Sequence, residues 1–547
     1  MTTSRRPSAV RRPGTSRRPV ALRRPVAVLG AGPVGQTTAL ALARWGIPVV
    51  LLDQRPRRDL VGSKAICQQR DVLDLWSCLG GGRVVEEGLT WSRARTFHRD
   101  VELFCVELQD SGRSPLPPFV NISQGRTEEI LDEAIAAEPL IEVRWGHEVV
   151  GLEQSADAVA VRCATAAGRR VLVASYAVAC GGARGSNLRE ALGVDFAGRS
   201  FEDAFLICDV EATLPGWEQE RRFYFDPRWN PGRQVLIHPC PGGIYRIDWQ
   251  VEPGFDLMAA RRDGSLDRRI RQVIGDQPYR IDWASVYRFH SRLADRFTVG
   301  RVLLAGDLAH LVAPFGARGL NSGVGDAENA AWKIAFALRG WAGPGLVGSY
   351  QSERHAAAVE NLEVTAATMD FLVPHSPEAA RERAGVLAAA RTDPVARAAV
   401  DSGRLAEPFW YVDSPLTTTA HGRPWPGRPP GGAAPAPVPG VALPDAPVRI
   451  AGRRKVTRIR QLARDGLLAL TGRDVDVAGM RAALAEAAGS VPHEVLTLGE
   501  IDPAEVLADA LECAPGEVWL VRPDAHTCAS VTDPASLAEA ARRALGH

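Results

Sequence analysis

The segment VAVLGAGPVGQTTALALARWGIPVVLLD at residues 26–53 constrains the fold of this chain more than any other feature. Gly30, Gly32 and Gly35 form a GxGxxG sequence between an apolar run of strand length and a helical segment, and Asp53 ends the next apolar run. Glycines permit a tight turn, the helix N-terminus attracts a pyrophosphate, and the carboxylate accepts a hydrogen bond from a ribose hydroxyl. The pattern therefore predicts a βαβ unit that binds a dinucleotide.

Asp53 also limits which dinucleotide this site accepts. A carboxylate repels a 2′-phosphate, so FAD or NAD is expected in preference to NADP. No second GxGxxG follows a strand, and GGARGS at 181–186 is only rich in glycine.

A second, longer motif lies at residues 300–335, GRVLLAGDLAHLVAPFGARGLNSGVGDAENAAWKIA. It resembles the closing flavin motif of the single-component FAD-dependent aromatic monooxygenases of the p-hydroxybenzoate hydroxylase type. The matching residues are Gly306, Asp307, Pro314, Gly319, Asn321 and Gly323. The resemblance implies that Asp307 binds the ribityl chain and that the following loop contacts the flavin ring. The next helix would then direct its N-terminus at the ring and stabilise an anion on reduced flavin.

Two further stretches extend the resemblance, and one departs from it. Arg70 matches an arginine that contacts the FAD diphosphate in this family, and Gln124 matches a glutamine facing the flavin. The family's middle motif places an aspartate before an arginine, whereas ACGGARGSNLR at 179–189 has Gly181 at that position and retains Arg184. That aspartate serves FAD and NAD(P)H binding, so its loss opens the possibility of an unusual reductive half-reaction.

The resemblance covers most of residues 26–400 and is strongest to phenol and 3-(3-hydroxyphenyl)propionate hydroxylases and to polyketide-tailoring hydroxylases of secondary metabolism. It implies an enzyme that uses FAD, NAD(P)H as a transient co-substrate and O2. In this family a flavin C4a-hydroperoxide transfers one oxygen to a phenolic or polyketide-like ring. A Baeyer–Villiger or epoxidising monooxygenase, and an FAD-binding protein with little turnover, stay open as alternatives. A halogenase is disfavoured because the WxWxIP signature is missing.

No residue is assigned firmly to catalysis from the sequence. Tyr224, His238 and His290 are weak candidates for assisting phenol deprotonation, since imidazole and phenol groups can relay a proton. Several aromatic residues are candidates for lining the substrate cavity, although core packing explains them equally well. These are Phe223, Phe225, Trp229, Trp249 and Phe315.

The predicted fold class is α/β, with a Rossmann-like FAD-binding domain, a mixed or antiparallel substrate sheet and a C-terminal thioredoxin-like domain. The 547 residues exceed one ordinary core, which favours two or three domains. The expected boundaries are a disordered Arg/Pro-rich tail at 1–25, a discontinuous FAD-binding domain at 26–185 and 286–400, a substrate domain at 186–285, a linker at 401–447 and a thioredoxin-like domain at 448–547. A twin-arginine export signal is the alternative reading of the tail.

Composition favours small-molecule partners. The net charge of +1 provides no field to gather nucleic acid or an anionic membrane, and no apolar run is long enough to span a bilayer. The histidines lack ligand spacing, so no metal is expected. The nine cysteines form no CxxC pair, which suits reduced thiols and a cytoplasmic location. Cys513 and Cys528 therefore indicate packing or dimer contacts in the C-terminal domain, and a homodimer is possible.

Overall fold

The computed structural model describes residues 24–59, 65–107, 114–374, 376–420, 422–430, 433–450, 457–502 and 504–547. Nearly all of the predicted Arg/Pro-rich tail lies outside these residues. Within the described ranges, no helix is both long and apolar enough to cross a membrane.

Strands and helices alternate through the first 195 residues. The strands are β1 Val26–Leu29, β2 Val49–Leu52, β3 Cys67–Gln69, β4 Arg93–His98, β5 Val101–Glu107, β6 Phe119–Asn121, β7 Ile141–Arg144, β8 Glu148–Gln154, β9 Val159–Thr165, β10 Gly168–Ala174 and β11 Ala177–Ala179. The helices are α1 Pro33–Arg44, α2 Arg70–Cys78, α3 Arg83–Glu87, α4 Gln124–Ala136 and α5 Ser186–Leu192.

The middle of the chain supplies longer strands and then long helices. The strands are β12 Phe196–Glu211, β13 Glu220–Phe225, β14 Gln234–Cys240, β15 Ile244–Val251, β16 Arg280–Ala294, β17 Thr298–Val299, β18 Val302–Leu304 and β19 His310–Leu311. The helices are α6 Leu257–Arg262, α7 Ser265–Ile274, α8 Arg318–Leu338, α9 Gly345–Leu372, α10 Pro377–Ala389 and α11 Pro394–Ala398.

The C-terminal part is again mixed. Its strands are β20 Pro447–Val448, β21 Thr457–Arg458, β22 Leu467–Thr471, β23 His493–Thr497, β24 Val518–Val521 and β25 Thr527–Val531. Its helices are α12 Ile459–Ala463, α13 Val477–Ala488, α14 Leu498–Ile501, α15 Val506–Ala510 and α16 Pro534–Ala544.

A six-stranded sheet, ordered β17-β18-β11-β1-β2-β7, forms the dinucleotide-binding half of the molecule. Strands β18, β11, β1, β2 and β7 run parallel, and β17 pairs antiparallel with β18. The apolar run of β1 is fully buried, as expected for a central parallel strand covered on both faces. The predicted βαβ unit is present as β1, α1 and β2.

An eight-stranded sheet, ordered β19-β16-β12-β15-β14-β13-β4-β5, forms the second half. One face is apolar and packs on Ala260 of α6 and on Leu266, Ile270 and Ile274 of α7. The sheet recruits β4 and β5 from residues 93–107, well outside the predicted substrate domain at 186–285. The observed sheet therefore combines strands from inside and outside the predicted substrate domain.

The last sheet is ordered β23-β22-β24-β25, with β22 and β23 parallel and the other pairs antiparallel. A βαβ unit followed by a hairpin and a helix is the α/β arrangement predicted for this end of the chain. The stretch at 401–447 was predicted as a linker because residues 421–447 are rich in Pro and Gly, yet parts of it are buried. Trp410, Tyr411 and Leu443 in it are at most 6% exposed.

Candidate active site

Four parallel strands direct their carboxyl ends at one cavity of about 570 Å³. The residues that follow β1, β2, β11 and β18 all contribute to its wall, among them Gly30, Asp53, Gly181 and Asp307. In open α/β sheets ligands bind outside the carboxyl ends of the strands. The opposite wall is formed by the eight-stranded sheet, so the cavity joins the two halves of the molecule.

The glycines of the first motif serve two different purposes. Gly30 has a φ of +112°, and a Cβ atom there would lie 2.4 Å from the carbonyl oxygen of Cys180. A Cβ atom on Gly35 would lie 1.8 Å from the carbonyl oxygen of Gly30. Gly32 is different: it lines the cavity, and a Cβ atom there would meet nothing within 4 Å. Gly30 and Gly35 are thus required by packing, whereas Gly32 leaves room for a ligand at the N-terminus of α1.

Asp53 lies at the end of β2 and forms part of the cavity wall. Its Oδ2 accepts a hydrogen bond from the backbone N–H of Ala31 at 2.8 Å, and Arg55 donates to both of its carboxylate oxygens at 2.9 Å. Burial alone would raise the pKa of Asp53, but these hydrogen bonds hold the pKa below its ordinary value. The carboxylate is therefore ionised and fixes the glycine turn.

The second motif contributes a turn, a loop and a helix end. Asp307, Pro314 and Gly319 line the cavity, and the first turn of α8 begins there after Ala317. Gly306 lies behind the wall and donates its backbone N–H to Asp326 at 2.9 Å. The positive end of the α8 dipole is thus available to an anion in the cavity, as the resemblance implied.

The other predicted cofactor residues differ in position. Gln124 lines the cavity and donates to Glu128 at 2.8 Å. Asn321 lies outside the cavity wall: its amide oxygen accepts from the N–H of Gln69 at 3.0 Å, and its amide nitrogen donates to the carbonyl of Cys67. Arg70 is likewise absent from the wall and donates from Nε to the carbonyl of Leu116 at 2.8 Å. Asn321 therefore ties α8 to β3 in the present geometry.

The departure at Gly181 has a local counterpart in the packing. Gly181 and Arg184 both line the cavity. A Cβ atom on Gly181 would lie 2.9 Å from Cδ1 of Leu188, so this position is packed too closely for a side chain. A longer side chain at 181 would have to displace Leu188.

Three phenylalanines form an aromatic wall at the substrate-sheet end of the cavity. The rings of Phe205 and Phe289 stack with centroids 4.6 Å apart, and Phe315 meets them edge-on at 5.7 and 5.8 Å. All three line the cavity, but only Phe315 was predicted. Of the other predicted aromatics, Trp249 belongs to the apolar core on the far face of the sheet. An aromatic wall of this kind suits a flat ring.

A row of ionisable side chains crosses the same wall. Asp209 pairs with Arg246, and Arg246 lies opposite His238 in the strand register. Arg221 and Asp248 also line the cavity. Sequence reasoning missed both arginines and Asp248. The sequence of β15, IYRIDWQV, could have revealed Arg246 and Asp248. Charged residues alternate with apolar ones in it, so the charged residues share one face of a buried strand.

The three weak catalytic candidates fall on different surfaces. His238 lines the cavity, and burial together with Arg221 and Arg246 holds its pKa well below the ordinary value, so it is neutral at pH 7. Tyr224 stacks on Phe97 at 4.6 Å, away from the cavity wall. The His290 ring contacts Ser200 at 2.8 Å, also away from the wall. Only His238 of the three is therefore positioned to contact a ligand.

Comparison with known proteins decides the family. A model of the FAD-binding domain family matches residues 23–365. The chain belongs to the FAD-binding domain family. The match spans every strand of the six-stranded and the eight-stranded sheets, so the two sheets that form the cavity walls are part of the family fold.

Two curated relatives and one solved structure extend this finding. A 3-(3-hydroxy-phenyl)propionate/3-hydroxycinnamic acid hydroxylase of Burkholderia vietnamiensis (strain G4 / LMG 22486) is 33% identical over 374 residues, 67% of this chain and 67% of that protein. The corresponding hydroxylase of Comamonas testosteroni is 30% identical over 374 residues, 67% of this chain but 62% of that protein. The crystal structure of the flavin-dependent monooxygenase PieE with FAD and substrate matches with a TM-score of 0.81 at 24% identity, covering 96% of this chain and 99% of that one.

Membership of the FAD-binding domain family confirms several predictions. The family, FAD as cofactor, the monooxygenase class of enzyme and the α/β fold class are confirmed. The roles assigned to individual residues and the domain boundaries stay predictions.

In the C-terminal unit, burial raises the pKa of both Cys513 and Cys528 to about 12, which disfavours the reactive thiolate at neutral pH.

Asp248 makes the stability of this protein depend on pH. Burial and the negative charge of Asp209 outweigh Arg246 and Arg221, and raise the pKa of Asp248 to about 7, while neighbouring His238 is neutral. The folded state then binds a proton between about pH 4 and 7 that the unfolded chain has released, so stability falls as pH rises through this window. In wild type the free energy of unfolding falls as pH rises, and we expect Asp248→Asn to make this fall smaller by on the order of 1–3 kcal/mol. Denaturant titrations at pH 5 and pH 8 with saturating FAD check this, and parallel curves for both proteins would contradict it.

Proposed function

We propose that the protein hydroxylates an aromatic ring, phenolic or polyketide-like, with FAD, NAD(P)H and O2. The observation that carries this proposal is the continuity of one cavity. Its lining includes both the glycine turn at Gly32 and the stacked rings of Phe205 and Phe289. A cofactor at the strand ends would thus face a flat substrate on the opposite wall.

FAD is held in this proposal by backbone and carboxylate groups. Gly32 admits the pyrophosphate to the N-terminus of α1, Asp53 receives a ribose hydroxyl, and Asp307 contacts the ribityl chain. The first turn of α8, including Gly319, lies where a flavin ring would gain from the positive end of the helix dipole. When bound, FAD takes electrons from NAD(P)H and activates O2, which does not react readily with closed-shell aromatics.

The side chains of the opposite wall orient and ionise the substrate. Phe205, Phe289 and Phe315 hold the ring by stacking and keep water from it. A phenolic hydroxyl near His238 could donate a hydrogen bond to the neutral imidazole, and the positive charge of Arg221 on the same wall would favour the ionised phenolate. Ionisation makes the ring more nucleophilic toward oxygen transfer.

The relatives and neighbours support this choice of substrate. The named relatives act on 3-(3-hydroxyphenyl)propionate and 3-hydroxycinnamic acid, and PieE was crystallised with FAD and a substrate. We extend aromatic hydroxylation to this chain because its aromatic wall accepts a planar ring. A homodimer and a cytoplasmic location remain part of the proposal.

The test is a purification followed by a turnover assay. The protein should show a bound-flavin spectrum, and NADH or NADPH oxidation should accelerate when phenols or hydroxylated polycyclic aromatics are added. The product should be heavier by one oxygen atom, and NMR should place that atom on a ring carbon. Oxygen inserted beside a ketone or across an alkene would instead identify a Baeyer–Villiger or epoxidising enzyme. Bound FAD without oxidation of NADH or NADPH under any condition would instead identify an FAD-binding protein with little turnover. A protein that cannot be reconstituted with FAD would refute the proposal.

A further inference from the structure

Arg221 is a buried cation of the cavity wall on the substrate-sheet side, and its environment calls for a ligand. The residue is 4% exposed, and it lines the cavity from β13. Its Nη2 donates to the carbonyl of Ser402 at 2.9 Å, but its buried Nε has no hydrogen-bond partner. Among the described residues, no carboxylate lies within ion-pair distance of it. A buried guanidinium without a counter-ion costs several kcal/mol, so a ligand that supplies the negative charge would relieve this cost.

The neighbouring charges do not fill that role. Arg246 is already neutralised by Asp209 through two hydrogen bonds of 2.8 Å. Asp248 lines the same cavity, yet among the described residues it forms no ion pair with Arg221, and its buried Oδ1 has no hydrogen-bond partner either. The buried Nδ1 of His238 is unpartnered as well. Three unpartnered polar atoms thus belong to residues that line the same cavity from neighbouring strands of one sheet.

Their arrangement follows from the sheet register. Arg222 pairs with Ile237 across β13 and β14, so the next antiparallel pair is Arg221 with His238. Directly opposed residues have Cβ atoms about 4.5–5.5 Å apart and project to the same face. One anionic oxygen group could therefore contact the guanidinium and the imidazole together.

We propose that Arg221, with His238 and Asp248 beside it, forms a recognition subsite for an anionic oxygen group on the substrate. The inference rests on the proposed function and adds to it the charge class of the substrate: a ring bearing a carboxylate or an ionised hydroxyl. The guanidinium binds the anion, and the imidazole supplies a second polar contact. Asp248 adds a donated hydrogen bond only below about pH 7, where it is protonated. The aromatic wall of Phe205, Phe289 and Phe315 then fixes the plane of the ring.

The test compares ionised probes with their neutral counterparts in the FAD-loaded enzyme. One pair is 3-(3-hydroxyphenyl)propionate and its uncharged amide, and the other is 4-nitrophenol and phenol at about pH 8. Dissociation constants come from the change in flavin absorbance. We expect Arg221→Gln to weaken binding of the ionised member of at least one pair by about 10–100-fold, since a hydrogen bond to a charged group contributes about 1.5–3 kcal/mol. Binding of the neutral member should change by less than about threefold. The pair that responds identifies the group as a carboxylate or a phenolate.

Two further variants separate recognition from folding. Arg221→Lys retains the charge and should keep most of the affinity for the ionised probe, which a merely structural role would not predict. Arg222→Gln removes an arginine from the same strand but on the opposite face, where it hydrogen-bonds to Glu220. It should leave both dissociation constants unchanged. FAD content and thermal midpoint verify that each variant is folded.

The inference is overturned if Arg221→Gln weakens both members of each pair equally, or if the unmodified enzyme binds ionised and neutral probes with the same affinity. Its failure is distinguishable from failure of the proposed function. Hydroxylation of neutral phenols by the unmodified enzyme and by Arg221→Gln alike would refute the subsite and keep the function. A preparation that forms no oxygenated product from any probe would refute the function.

Discussion

Gly32→Val is expected to abolish tight FAD binding without unfolding the protein. The backbone at Gly32 has φ −74° and ψ 179°, which any residue adopts, and an added Cβ atom meets nothing within 4 Å. The valine side chain would occupy the space at the N-terminus of α1 where the pyrophosphate is expected. Loss of charge-assisted hydrogen bonds worth about 1.5–3 kcal/mol each should weaken FAD binding by about 100-fold or more.

Fluorescence titration of the apoprotein with FAD measures this effect, and circular dichroism with a thermal scan measures the fold. Gly82→Val is the matched control, because Gly82 also precedes a helix, also has open space around its Cβ position and lies outside the cavity. That variant should bind FAD normally. Gly35→Ala provides the contrast: its Cβ would lie 1.8 Å from the Gly30 carbonyl, so this change should disrupt the fold itself. Stoichiometric FAD in purified Gly32→Val would refute the assignment.

Local sequence predicted the parts of the site that local structure builds. The βαβ unit around Gly30 and Asp53 required only residues within one stretch, and the motif at 300–335 likewise encodes its own turn and helix. Each is a contiguous element whose backbone geometry follows from glycines and apolar periodicity. The ligand-facing turns of both motifs therefore lie at the carboxyl ends of the parallel strands, as expected.

The substrate wall was harder to predict because strand register builds it. Arg221, His238 and Arg246 come from three strands and converge only after β13, β14 and β15 pair. One-residue shifts in register would send each side chain to the opposite face, and no local pattern fixes the pairing of distant strands. The stretch at 401–447 was predicted as a linker because its Pro and Gly content is typical of one. Composition does not show which of its residues pack on the protein, and Trp410 and Tyr411 are buried.

Buried charges that link the C-terminal unit to the flavin-binding half were also beyond sequence reasoning. Glu353 on α9 accepts hydrogen bonds from Lys333 on α8 at 2.6 Å and from Arg522, after β24, at 2.5 and 3.0 Å. Beside Glu353, Arg354 donates to Asp326 at 2.6 Å. Asp326 is the residue that accepts the N–H of Gly306. Asn329 and Tyr411 join the two sets, because Asn329 donates to both Glu353 and Tyr411, and Arg354 donates to Tyr411. A continuous set of ion pairs and hydrogen bonds thus runs from the C-terminal sheet to the turn before Asp307.

Glu353→Gln is expected to destabilise the protein by about 3–5 kcal/mol, because it leaves buried Lys333 without its counter-ion and Arg522 with Asp524 alone. The side chains of Glu353, Lys333 and Arg522 are at most 1% exposed, so water cannot replace the lost carboxylate. Burial acts to raise the pKa of Glu353, but Arg522 and Lys333 hold that pKa well below its ordinary value, and the carboxylate is charged throughout the neutral range.

Urea titration of the FAD-loaded enzyme, with the FAD dissociation constant measured in parallel, checks this expectation. Glu378→Gln is the control: its ion pair with Arg381 is largely exposed on both sides, so its loss should cost less than about 1 kcal/mol. If the ionic contacts support the flavin-binding turn, Glu353→Gln should also weaken FAD binding, although Glu353 is absent from the cavity wall. A loss of stability with unchanged FAD affinity would confine the C-terminal unit to a packing role, and unchanged stability would contradict the ionic account of how this unit is held.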